Sequence, residues 1–223
     1  MVNIYKSVFE KHYLEMTDRE RAELMAEVFP HRLSYESKNF IRKKFEELRI
    51  KHILKLCGDV RNKKILDAGA GDGFILEKIQ SSDKWGIDIS EKRISRARKR
   101  DPKATLRVED LHKTSFPDNY FDSVICADVI EHVGKPAVMV EEMLRITKDR
   151  GFIVFLFPNE IMFIFMRVLN LIFPPLNPDH ITWITPSKLN KMMGQRPAVT
   201  FNIPDLPYPF CLEQCYRYEV KKP

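Results

Sequence analysis

The chain of 223 residues has little of several things, and each shortage excludes a class of protein. It lacks the roughly 20 consecutive apolar residues that a membrane-spanning helix needs, because the apolar stretch between Pro158 and Pro174 is short and carries Arg167. Its four cysteines (Cys57, Cys126, Cys211, Cys215) show no C-x-x-C spacing and no accompanying histidine cluster. A zinc site and a disulfide framework are therefore not expected, no metal is predicted, and a reducing compartment fits. Residues 1–10 contain no basic segment followed by an apolar core, so no signal peptide and a cytoplasmic setting are expected. Internal repeats and low-complexity linkers are missing too. Only three glutamines stand among many Lys, Glu, Arg and Ile residues, a bias shared with thermostable proteins.

What is present suits one well-packed domain. Hydrophobic residues make up 44% and charged residues 30%, and the net charge of +6 admits anionic partners without deciding the fold. Residues 1–60 read as helical, either a packing layer or a cap or lid, in the same domain as a core spanning 61–223. Thr17 and Glu20 have capping-box spacing, followed by Leu24, Met25, Val28 and Phe29 at helical intervals, and Pro30 stops that helix. A second helix is predicted over 35–56, with Phe40, Ile41, Phe45, Leu48, Ile53 and Leu56 on one face and Gly58 closing it.

From residue 63 short apolar runs alternate with helices, the pattern of a parallel sheet covered on both faces. Strands are predicted at 65–66, 85–89, 105–109, 121–127 and 151–157, with helices at 72–80, at 135–148 and from the Ser90 cap to Arg100. Segments 199–203 and 210–220, separated by a Pro-rich turn, read as an antiparallel hairpin at the sheet edge. The expected fold is α/β: a Rossmann-like, doubly wound, seven-stranded sheet, mostly parallel, with an antiparallel C-terminal hairpin and an insertion at about 159–197.

The most informative stretch reads Lys-Ile-Leu-Asp-Ala-Gly-Ala-Gly-Asp-Gly, from Lys64 to Gly73. A strand runs into Asp67, and then Gly69, Gly71 and Gly73 alternate around Ala70 and Asp72. Glycine permits positive φ and lets a ligand approach the backbone. Dinucleotide sites use G-x-G-x-x-G instead, with a pyrophosphate on the helix N-terminus. Carboxylates at that place, Asp67 and Asp72, repel a pyrophosphate and suit a ligand with a cationic amine. A tight turn that binds nothing is the alternative.

With these residues the chain resembles the class I S-adenosylmethionine-dependent methyltransferases, in the broad group that includes the ubiquinone and menaquinone methyltransferases. The resemblance extends from about residue 63 to the C-terminus and rests also on three later segments. It implies S-adenosylmethionine as cofactor and S-adenosylhomocysteine as product. Asp88, at the end of the second strand in Trp-Gly-Ile-Asp-Ile-Ser and fifteen residues after Gly73, is placed to accept from both ribose hydroxyls, and Ile89 to pack on the adenine. In Arg-Val-Glu-Asp-Leu, the family places an acid against the adenine amino group and the next backbone amide against the ring. Asp110 takes that role with Glu109 in reserve, and Leu111 supplies the amide. Ala127 and Asp128, leaving the fourth strand in Ala-Asp-Val-Ile-Glu-His-Val, should lie over the methionine end.

No Asn/Asp-Pro-Pro-Tyr/Phe motif follows this strand, which disfavours exocyclic base amines and glutamine amides as acceptors. An acceptor hydroxyl or acidic carbon would need a base poised near neutral pH, a task suited to histidine. His132 after the fourth strand and His180 in Pro-Asp-His-Ile-Thr-Trp are the candidates, with a structural role for His132 as the alternative; His12, His31, His52 and His112 have no supporting context. The apolar segment 161–173 is expected to be a helix buried between sheet and lid. Its other readings are a wall for an apolar or aromatic acceptor, or a peripheral membrane or dimer contact. Arg93, Arg96, Arg98, Lys99 and Arg100 form a basic helix face that admits nucleic acid but reads better as solvated. The expected activity is methyl transfer to a small, apolar or aromatic acceptor. The alternatives are a tRNA or protein methyltransferase and a non-catalytic S-adenosylmethionine-binding partner. The methylated atom and the oligomeric state stay open.

Overall fold

Alternating strand and helix resolve, in a computed structural model that describes residues 13–28, 40–169 and 179–222, into one seven-stranded sheet of order β3-β2-β1-β4-β5-β7-β6. The strands are β1 (Lys64–Ala68), β2 (Asp83–Asp88), β3 (Thr105–Val108), β4 (Phe121–Ala127), β5 (Thr147–Pro158), β6 (Val199–Ile203) and β7 (Glu213–Glu219). The first five pair in parallel, and β7 is antiparallel to both β5 and β6. From β1 the chain winds outward to β3 and returns to β4 on the other side of β1. That reversal opens a crevice at the carboxyl ends of β1 and β4.

Both faces of the sheet are covered. On one lie α5 (Pro136–Ile146) and α7 (Pro186–Met193), whose Met139, Val140, Met143, Leu189 and Met193 pack on Leu66, Ile153, Phe155 and Phe157. On the other lie α2 (Phe40–Cys57), α3 (Phe74–Lys78) and α4 (Glu91–Arg100), whose Ile53, Leu56, Leu76, Ile94 and Ala97 meet Ile65, Phe152, Val154 and Leu156. Successive β5 residues serve opposite faces, which is why that strand is apolar from Phe152 to Phe157.

The caps that the sequence announces are formed. Thr17 N–H donates to Glu20 Oε2 at 2.7 Å and Glu20 N–H to Thr17 Oγ1 at 3.3 Å, opening α1 (Asp18–Val28). Ser90 Oγ accepts from Arg93 N–H at 3.2 Å, and Thr185 caps α7 in the same way ahead of Pro186. Gly58, at φ +64°, follows α2. Phe29, the Pro30 stop and the predicted helix start at 35–39 lie outside the described residues, as do His12, His31 and positions 170–178.

Four expectations change. Helix α3 is shorter than predicted, because Gly73 at φ +81° stands as its N-cap. Strand β5 starts earlier, at Thr147, where it pairs with Phe121 across a register shift. On α2, Phe40 is 72% exposed rather than part of the buried face. Helix α6 (Glu160–Leu169) is not buried between layers. Its Ile161, Phe165, Met166, Val168 and Leu169 are exposed, whereas Glu160 is turned inward and buried. The acid has an internal partner, and that partner sets the helix's rotation. No helix among the described residues is long and apolar enough to cross a membrane.

The Ser90 cap holds α4 beside the crevice with a fully buried side chain. Ser90→Ala should cost about 1 kcal/mol of stability, read as a lower urea midpoint at unchanged slope.

Candidate active site at the ends of β1, β2 and β4

The loop leaving β1 is fastened to β2. Gly69 and Ala70 N–H groups both donate to the Ile87 carbonyl at 2.8 Å, and Gly71 N–H donates to Asp88 Oδ2 at 2.9 Å. The other Asp88 oxygen accepts from Ser90 N–H at 2.9 Å. Gly69 has φ +83°, and a Cβ there would stand 2.3 Å from Val129 Cγ2. No other residue type fits. This contact also brings the loop against the turn that leaves β4.

Asp67, the penultimate residue of β1, has 1% of its surface exposed, and among the described residues its Oδ2 has no hydrogen-bond partner. Burial first, and then the Asp88 carboxylate, push its carboxyl up to about 7. Asp88 is raised as well, chiefly by burial, against the opposing pull of Arg93 and its two backbone donors. Asp72 behaves differently from the expectation. It does not face a ligand but pairs with Arg96 Nε at 2.9 Å, so its charge is spent inside the protein. On the basic face of α4, Arg98 and Lys99 are exposed as expected, while Arg93, Arg96 and Arg100 are half-buried. Arg98 donates to the Leu106 carbonyl, and Arg100 donates to the Asp72 carbonyl and covers the Phe74 ring.

At the end of β3, both Glu109 oxygens accept from Ser115, at 2.7 and 2.5 Å. Asp110 is exposed and accepts through Oδ1 from the backbone and ring of His112. Leu111 is buried behind it, and Ile89 is half-buried at the end of β2. Beyond β4, Ala127 is buried and Asp128 takes φ +54° with its N–H donated to the Leu156 carbonyl at 3.0 Å. The Asp128 carboxylate is gripped by Arg49 of α2, whose guanidinium also binds Glu46 and, at 2.6 Å, Glu213 Oε2. Burial raises Glu213, with Arg49 opposing. Sequence reasoning missed Arg49, because nothing local distinguishes one arginine in a lysine- and glutamate-rich helix.

The two candidate histidines meet, with ring centroids 5.0 Å apart. His132 Nδ1 lies 2.9 Å from the Asp179 carbonyl, and His180 Nδ1 lies 2.5 Å from Glu160 Oε1. Burial alone would lower His180, but the Glu160 hydrogen bond and the fields of Glu131, Glu160 and Asp179 outweigh it and raise the imidazole. Tyr13, ahead of α1, donates to the Asp179 carboxylate, and Ile181 packs beside the cluster of Tyr13 and Met25. Segment 13–28 therefore lies against the loop that carries His180.

Known proteins resemble this chain in sequence and in fold. The family described as "Methyltransferase domain" matches residues 66–155. The chain is 29% identical over 176 residues to the ubiquinone biosynthesis O-methyltransferase of Photobacterium profundum, covering 72% of this chain and 74% of that one. It is 30% identical over 167 residues to the enzyme of the same name from Hydrogenovibrio crunogenus, covering 68% of each. In fold it resembles a Thermotoga maritima S-adenosylmethionine-dependent methyltransferase described as a possible histamine N-methyltransferase, with TM-score 0.70, 17% identity and coverage of 90% and 100%. It also resembles the magnesium protoporphyrin IX methyltransferase of Synechocystis PCC 6803 with bound S-adenosylhomocysteine, with TM-score 0.68, 19% identity and coverage of 92% and 100%.

The Asp67 carboxyl carries a pH signature. Its folded value of about 7 lies above the ordinary 3.8, so the fold retains a proton that the unfolded chain has lost between those values. Stability from this group is full below about 4, falls as pH rises toward about 7, and is flat above. Asp67→Asn should be more stable than the parent at pH 8, by on the order of 3 kcal/mol, with the difference shrinking toward pH 4. Denaturant titrations at both pH values check this, and a difference that does not change with pH contradicts it.

Proposed function

We propose that this chain, which belongs to the class I S-adenosylmethionine-dependent methyltransferases, delivers its methyl group to an oxygen of a small, apolar or aromatic acceptor. When bound, the cofactor supplies an activated methyl group on a cationic sulfonium. Methyl transfer is then an in-line displacement, and the protein's work is to hold the partners close and exclude water. The single observation that carries the donor assignment is Asp67, a buried carboxylate with an orphaned oxygen beside a glycine cradle. Such a group repels phosphate and favours a positively charged ligand.

On this reading Asp67 faces the cationic amino-acid portion, and the backbone of Gly69, Ala70, Gly71 and Gly73 lies along it. Asp88 keeps spare lone pairs on both oxygens for the ribose hydroxyls. Asp110, with Oδ2 uncommitted to His112, takes the adenine amino group in preference to Glu109, while Ile89 and Leu111 frame the ring. Ala127 and Asp128 border the methionine end, Asp128 being set in place by Arg49. The residues described from 13 to 57 form the cap that shapes the acceptor side, with the insertion at about 159–197 opposite.

Three things support a small acceptor. Relatives aligned over two thirds or more of this chain carry the name of an O-methyltransferase in ubiquinone biosynthesis. The guanidiniums of Arg96, Arg98 and Arg100 are engaged by this chain itself, which removes much of the case for nucleic acid. His132 and His180 stand together beyond β4, with His180 held by an acid from α6. Both are assigned to the acceptor's hydroxyl.

Transfer of tritiated methyl from S-adenosylmethionine to a panel of phenols, catechols, amines and bulk tRNA tests the proposal. Label in organic-extractable ethers is expected, and label confined to tRNA or amines overturns it. Asp88→Ala should weaken cofactor binding about tenfold or more by calorimetry, and unchanged affinity removes the ribose assignment. His180→Ala should lower kcat about a hundredfold while leaving cofactor affinity within twofold.

A further inference from the structure

The loop that leaves β3 carries Asp110, the acid assigned above to the adenine amino group, and its backbone is braced at several points. Lys113 N–H donates to the Asp110 carbonyl at 3.1 Å, closing a turn around Leu111 and His112. Both oxygens of Glu109 accept from Ser115. Glu142 of α5 accepts the Thr114 N–H at 2.7 Å and the Thr114 Oγ1–H at 2.6 Å. What this bracing leaves undecided is the Asp110 carboxylate, whose side chain is 52% exposed. An exposed aspartate on a loop turns among several rotamers, and a ligand that needs one of them binds more weakly for it.

His112 removes that freedom. Its backbone N–H and its ring Nδ1 both lie 2.8 Å from the same oxygen, Asp110 Oδ1. A carboxylate oxygen only accepts, so the ring nitrogen facing it carries a proton. Two donors on Oδ1 fix the direction of the carboxylate and leave Oδ2 clear of His112. The ring itself is confined. Its side chain is 20% exposed, and Nε2 is buried with no hydrogen-bond partner among the described residues. Nε2 faces the first turn of α1, where Asp18 Oδ2 stands 3.8 Å away. Asp18 is held in turn, because it pairs with Arg21 and its Oδ2 accepts from Gly134 N–H at 3.2 Å. The cap thus backs the ring, and the ring holds the acid.

We propose that His112 is the positioning residue for base recognition, holding Asp110 so that Oδ2 meets the adenine amino group of the cofactor. The inference rests on the adenine assignment of Asp110 made above. Because the carboxylate is aimed before the ligand arrives, its rotamer freedom is not lost on binding. His112 acts on the ligand only through Asp110 and needs no contact with the cofactor. Since Asp18 belongs to α1, the docked cap and the adenine pocket share this one side chain. Spacing alone gave His112 no role, because a histidine two residues after an acid is ordinary until the loop folds the ring back onto that acid.

Calorimetry of S-adenosylhomocysteine binding to the full chain tests this, with circular dichroism as a folding check. His112→Ala should weaken binding about tenfold. His112→Asn places an amide near the Nδ1 position and should stay within about threefold of the parent, whereas His112→Gln, whose amide reaches farther out, should behave like His112→Ala. In a double-mutant cycle with Asp110→Ala, loss of His112 should cost no more than about a further twofold, because its target is gone. If His112→Ala does not fold, the Asn and Gln variants carry the same comparison. Parent-like binding by His112→Ala, a loss of about tenfold that persists without Asp110, or no rescue by His112→Asn overturns the proposal. Unchanged affinity in Asp110→Ala refutes the adenine assignment and the proposal with it. A weakened Asp110→Ala beside an unaffected His112→Ala refutes the positioning role alone.

Discussion

One carboxylate ties the two halves of the crevice together. Asp88 receives the Gly71 N–H through one oxygen and the Ser90 N–H through the other. The turn after β1 and the helix start after β2 are thereby anchored to the same group. The Ile87 carbonyl adds two further bonds from Gly69 and Ala70. Without these bonds the glycines would leave the loop many conformations; with them it has one. The energetic difficulty is that Asp67 and Asp88 are both buried, and the Asp88 carboxylate adds to the cost of ionising Asp67. A fold that tolerates this arrangement has placed negative potential where a stability-optimised one would place an apolar side chain.

The same trade recurs at the other wall. Arg49 answers Glu46, Asp128 and Glu213 with a single guanidinium, with Arg49, Glu46 and Glu213 buried and Asp128 half-buried. A buried network of this kind contributes little net stability compared with well-packed apolar residues, yet removing its centre leaves several charges uncompensated. What it supplies is position: Asp128 is held at an unfavourable φ, facing the crevice, by a helix that precedes the sheet in sequence. The segment before β1 thus reaches the site through an ion pair as well as through packing.

Much of the fold could be read from the chain. Strands β4 and β6 have the expected bounds, because Val124, Ile125, Cys126 and Ala127 form a continuous buried apolar run and β6 alternates beside a Pro-rich break. Ser90 and Thr185 announced their helices because capping is local chemistry. The failures share a cause, which is that partners distant in sequence decided the outcome. Asp72 looked like a ligand acid until Arg96 arrived from the next helix. Helix α6 looked buried by composition, but the bond from Glu160 to His180 rotated its acid inward and its apolar residues outward. Glu131, His132 and His180 became a cluster only when two loops met.

The contact between Gly69 and Val129 has a mechanical consequence. The loop backbone stands so near the Val129 methyls that not even one carbon could be inserted between them. Val129 in turn lies two residues before Glu131, in a turn closed by the bond from His132 N–H to the Val129 carbonyl at 2.9 Å. A close-packed contact transmits displacement rather than absorbing it. The glycine loop after β1 and the Glu131–His132 turn after β4 are therefore meshed parts, and a displacement of one is passed to the other.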